Sequence, residues 1–97
     1  MTDTQLPPEG IQQPMTKLEL LTQNAEMRRA SVEAYQMNID NYTLAVADIN
    51  ENFSDDPEMQ AFKTRLEELL VTERREQGKE RIMLRALEAQ IAQLQQS

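Results

Sequence analysis

From Leu18 to Phe53 the chain obeys one rule, with steps of three and four alternating through Leu18, Leu21, Ala25, Arg28, Val32, Tyr35, Ile39, Tyr42, Val46, Ile49 and Phe53. Only an α-helix that buries one narrow stripe against another helix requires that period, since a strand would alternate every second residue. Arg28 is the single polar member of the stripe.

The stripe has a marked start and stop. Thr16-Lys17-Leu18-Glu19 fits a capping box, with the Thr16 hydroxyl accepting from the Glu19 main-chain N–H and the Glu19 carboxylate reaching back. The run Asn50-Glu51-Asn52-Phe53-Ser54-Asp55-Asp56-Pro57 then breaks the pattern. Asp56 is placed to cap a new helix and Pro57 to occupy its first position, where a missing N–H costs nothing. The expected layout is therefore a first helix over about 16–52, a turn at 53–57 and a second helix over about 58–95. A connection this short makes the two helices antiparallel neighbours. The expected fold class is all-α, two long helices in an antiparallel coiled-coil-like hairpin, with dimerisation into a four-helix bundle as its natural extension.

The second helix opens on Met59, Phe62, Leu66 and Leu69 and closes on Leu84, Leu87, Ile91 and Leu94, both at helical spacing. Between them Thr72 to Arg81 contains no apolar side chain. Pairing residues whose numbers add to 111 or 112 sets Ile49 by Phe62, Val46 by Leu66 and Tyr42 by Leu69. The same rule sets Arg28 by Leu84, Ala25 by Leu87, Leu21 by Ile91 and Leu18 by Leu94. In the middle it leaves Val32, Tyr35 and Ile39 against Glu80, Glu76 and Glu73. The expected structural role of this stretch is a polar layer, with Arg28 against Glu80 and the Tyr35 hydroxyl on Glu76, that fixes register at some cost in stability.

Composition narrows the function. The 97 residues include no Cys, His or Trp, which removes disulfides, thiolate and imidazole metal ligands, and the commonest general base. Glu73, Glu76 and Glu80 share a helix face, but di-metal bundles add His from facing helices and the first helix offers no carboxylate at its stripe. No catalytic, cofactor-binding or metal-ligating residue is expected, and no enzymatic activity. Residues 1–14 hold three of the four prolines and read as a flexible, Pro-rich tail. The first residues lack the basic and apolar segments of a signal peptide, and no run is long enough to span a bilayer. A cytoplasmic location is the expectation, for a bacterial protein or a viral one acting in a host cytoplasm.

Charge is unevenly spread. Residues 1–56 carry three basic and ten acidic side chains, whereas residues 57–97 carry seven of each, so the first half holds the whole net charge of −7. Glu19, Glu26, Glu33 and Asp40 repeat every seven residues and form an acidic ladder on one flank. Such a ladder suits a solvated surface, a mimic of nucleic-acid phosphates, or a dock for the basic group Arg74, Arg75, Lys79, Arg81 and Arg85 of a second copy. That basic group is interleaved with glutamates and has no aromatic stacking platform, so nucleic-acid binding is disfavoured. Membrane-surface binding is disfavoured as well, because the polar flanks of the first helix are acidic.

The most informative feature is a second apolar stripe on the first helix, Leu20, Met27, Ala30, Ala34, Met37 and Leu44, largely opposite the first. A two-helix protein needs only one buried face. A second stripe marks packing against further helices, and Met suits adaptable binding surfaces. With the poorly matched Val32, Tyr35 and Ile39, these residues form the expected partner-binding surface, for a second copy in a homodimer or for a larger protein.

The Ser54-Asp55-Asp56-Pro57 turn and the hairpin layout resemble those of type III secretion needle subunits and their small helical chaperones, over about four residues. The Trp-x-Gly of secreted WXG-type hairpins is missing from the turn. The functional expectation is a non-enzymatic helical interaction module: an adaptor, small chaperone or inhibitor of a larger machine, of viral or secretion-associated type. The alternative is an acidic nucleic-acid mimic or nucleic-acid-directed regulator.

Overall fold

A computed structural model describes residues 14–96. The Pro-rich tail expected over 1–14 therefore falls outside the described residues, Pro14 excepted. Two helices pack side by side: α1, Lys17–Asn52, and α2, Pro57–Gln96, with no strand among the described residues. At 36 and 40 residues they are roughly 54 and 60 Å long.

Both helix starts are set by side chains. Thr16 Oγ1 accepts from Glu19 N at 3.1 Å while Glu19 Oε1 accepts from Thr16 N at 2.8 Å, closing the capping box. Asp56 Oδ1 accepts from Glu58 N at 3.0 Å and Met59 N at 3.2 Å, ahead of Pro57. The turn is tied by Phe53, whose carbonyl accepts from Asp56 N at 3.2 Å and from Gln60 Nε2 at 2.9 Å. These bonds cap the start of α2 and tie it to Phe53 at the end of α1, so the chain reverses within a few residues.

The α1 stripe faces α2 as expected from Leu21 to Ile49, with Leu21, Ala25, Ile39 and Ile49 buried and Arg28, Val32, Tyr35, Tyr42 and Val46 half-buried, whereas its end members Leu18 and Phe53 are exposed. The inner face of α2 differs from expectation. It runs through Met59, Lys63, Leu66, Leu70, Glu73, Gln77, Glu80, Leu84, Leu87 and Ile91, all buried or half-buried. Leu70 is 7% exposed, whereas Leu69 is 41% and Phe62 46% exposed, so the expected pairings of Ile49 with Phe62 and Tyr42 with Leu69 are corrected. Residue numbers adding to 112 instead set Ile49 level with Lys63, Tyr42 with Leu70 and Tyr35 with Gln77. The physical reason is continuity. Steps of four and three alternate without a break from Met59 to Ile91, whereas a stripe drawn through Phe62, Leu69 and Glu76 needs two successive steps of four to reach Leu84, which would swing it off the partner helix.

Polar residues inside this stripe are each satisfied. Lys63 lays its stem along the seam and donates Nζ to Asn50 Oδ1 at 3.0 Å. Gln77, 7% exposed, donates Nε2 to the Val32 carbonyl at 3.1 Å and to Gln36 Oε1 at 2.9 Å. The middle of the hairpin is thus closed by an amide, and Ile39 beside it is itself 7% exposed.

Candidate interaction surface

The three glutamates that share the middle of α2 point to three different donors. Glu73 Oε1 accepts from Asn38 Nδ2 at 2.9 Å, Glu76 Oε2 from Lys79 Nζ at 2.9 Å and Glu80 Oε2 from Arg28 Nη1 at 2.9 Å. Among the described residues no group of carboxylates stands as a metal-holding cluster. Of the expected polar layer, Arg28 and Glu80 come together across the hairpin, with side chains 38% and 21% exposed. Glu76 does not join them: it pairs within its own helix, and the expected Tyr35–Glu76 hydrogen bond is absent, because Gln77 occupies the position level with Tyr35.

The hairpin has two unlike flanks. On one, Arg29 Nη2 meets Glu88 Oε2 at 3.3 Å and Gln36 meets Gln77. The acidic ladder borders this flank on α1, with Glu19, Glu26, Glu33 and Asp40 all exposed. Glu19 is engaged in the capping box, Asp40 accepts from Gln36 Nε2 at 2.9 Å, and Glu26 and Glu33 form no ion pair among the described residues. Arg74, Arg81 and Arg85 stand exposed on the α2 side of it. It is a charged, solvated surface.

The opposite flank carries large apolar side chains on both rims, interrupted at mid-length by Asn38, Glu76 and Lys79. A groove of about 440 Å³ opens there between the helices, lined by Asn24, Met27, Arg28, Ser31, Glu80, Met83 and Leu87. Seven-residue spacing puts Phe62, Leu69 and Met83 along the α2 rim, at 46%, 41% and 45% exposure. Leu20 and Met27 border the α1 rim, at 47% and 63%. The remaining members of the second α1 stripe, Ala30, Ala34, Met37 and Leu44, are also exposed, with Met37 at 71% and Leu44 at 70% continuing onto the outer edge. Six residues of the expected partner-binding surface are therefore presented to solvent. The other three are not: Ile39 is buried, and Val32 and Tyr35 are half-buried, all facing α2. Their partner is the chain's own Gln77 layer.

The α2 contribution to this surface was missed in the sequence. Following apolar side chains alone places Phe62 and Leu69 in the inner seam and gives no role to Met83 or to Ile82, the latter 58% exposed. The signal available was the spacing of 62, 69 and 83 in multiples of seven, one position away from an unbroken inner stripe.

No helix of the described residues is long and apolar enough to cross a membrane. Comparison with known protein families, curated proteins and solved structures gave no match.

Proposed function

We propose that this chain is a non-enzymatic helical protein–protein interaction module, an adaptor, small chaperone or inhibitor that works by covering its exposed apolar flank and outer edge with another helical surface. The observation that carries this reading is the exposure of large apolar side chains along both rims of one flank, Leu20 and Met27 on α1 and Phe62, Leu69 and Met83 on α2, while the opposite flank is charged. Several large apolar side chains exposed on one flank of a water-facing protein point to an interaction site. The partner is a protein, a second copy or a larger one, met in the cytoplasm.

Binding, whether to itself or to a captured protein, should drop when Leu20, Met27 or Met37 is changed to Glu and persist at high salt, because burial of apolar area is not screened. The exposed acidic ladder favours one second reading, a mimic of nucleic-acid phosphates. On that reading, neutralising Glu26 and Glu33 to Gln abolishes binding to a basic partner and rising salt weakens it steeply. Salt-resistant binding that the charged substitutions in the apolar stripe leave unchanged would overturn the interaction-module reading.

A further inference from the structure

The apolar flank is self-complementary. Its α2 rim carries the large side chains Phe62, Leu69 and Met83, with Glu76 between the last two, whereas the adjoining row of α1 has the shorter side chains Asn24, Ser31, Asn38 and Ala45. The groove beside Met83 takes in Asn24 and Ser31 of that row, with Met27 at its α1 edge. A ridge next to a trough on one face is what an isologous contact needs, because a two-fold rotation seats each ridge in the other copy's trough.

We infer that a second copy of this chain covers the flank, related by a two-fold axis parallel to the helices, so that α1 of one copy lies antiparallel to α2 of the other. This rests on the interaction-module reading and names its partner. The rotation keeps the intrachain levels, near a residue-number sum of 112, so Leu69 falls beside Ala45 and Met83 beside Ser31 of the other copy. Charge fits the same arrangement. Asp48 borders the flank on α1 and Arg65 on α2, and Arg65 forms no ion pair among the described residues. The rotation brings Asp48 of each copy to Arg65 of the other, since their numbers add to 113. Of the other charges there, Glu76 pairs with Lys79 within one helix and Arg28 with Glu80 across the hairpin. The opposite flank, with its exposed ladder and arginines, stays in water.

The test is the solution mass of the full chain, by light scattering on the eluting peak across a tenfold dilution, with helicity checked by circular dichroism. Two chains per particle are expected. Leu69→Glu and Met83→Glu, at exposed positions that leave the hairpin folded, should each weaken association by about tenfold or more. Arg65→Asp should weaken it too, and adding Asp48→Arg should restore it. A mass of one chain at every concentration would overturn the proposal while leaving a foreign partner for the same surface. A dimer indifferent to Leu69→Glu and Met83→Glu but lost in Met37→Glu would also overturn it, placing self-association on the outer edge and sparing the interaction reading.

Discussion

The side-chain amide of Gln77 donates to the main-chain carbonyl of Val32 at 3.1 Å, linking the two helices at the centre of the hairpin. That carbonyl belongs to a helical turn, and the same amide reaches Gln36 Oε1, which has access to water. A buried polar residue so placed fixes which turn of α2 sits against which turn of α1 more than it adds stability. Gln77→Leu should therefore leave stability in urea unchanged or raise it by about 1 kcal/mol, whereas Gln77→Ala, which opens a void, should lower it by roughly 1–2 kcal/mol. A loss of more than that in Gln77→Leu would mean that the hydrogen bonds outweigh the desolvation of the amide.

The inner stripe of α2 can be tested by two adjacent leucines. Leu70 is 7% exposed and Leu69 41%. Leu70→Ala should cost about 2–3 kcal/mol of the monomer's stability, and Leu69→Ala under about 1 kcal/mol when measured in dilute protein. Equal losses, or the reverse order, would restore the pairing of Tyr42 with Leu69 that the structure replaces.

Arg28 and Glu80 join the helices at 2.9 Å with the glutamate largely covered. Solvent reaches the arginine, so the pair itself contributes little, and Arg28→Ala should cost roughly 0.5–1 kcal/mol, chiefly by leaving Glu80 without its donor. The double change Arg28→Met with Glu80→Leu should recover that loss. Thermal denaturation at low and high salt distinguishes the cases through the difference in salt dependence between them, because at this site the wild type carries an ion pair, the single mutant a lone carboxylate and the double mutant no charge.

Gly78 lies in mid-helix with open space where a Cβ would stand, and its backbone is helical. Nothing in the monomer requires glycine there. Gly78→Ala should raise stability by about 0.5–1 kcal/mol through helix propensity alone, seen as a higher urea midpoint with unchanged slope.

How much of this could be read from the residues divides along the two helices. The first stripe, the capping box at Thr16 and Glu19 and the stop at Asp56-Pro57 were legible because each is local: a spacing, a cap and a missing N–H carry their meaning within a few residues. The inner face of α2 was not. Lys63, Glu73, Gln77 and Glu80 occupy it, and a reading that follows apolar side chains steps from Met59 to Phe62 rather than to Lys63. Only continuity of the four-three alternation, enforced by the neighbouring helix, selects the polar residues over the adjacent Phe62 and Leu69. The same slip hides part of the apolar rim, since Phe62 and Leu69 then count as core. It also made Val32, Tyr35 and Ile39 look unmatched, when an amide one position from Glu76 fills the gap.

The most direct measurement follows three methionine methyl groups by NMR as the protein is diluted. Met27 and Met83 line the groove on the apolar flank, while Met37 lies on the outer edge. If a second copy covers that flank, the Met27 and Met83 methyl signals shift together with concentration and that of Met37 stays in place. Signals independent of concentration, or a shift confined to Met37, would contradict it.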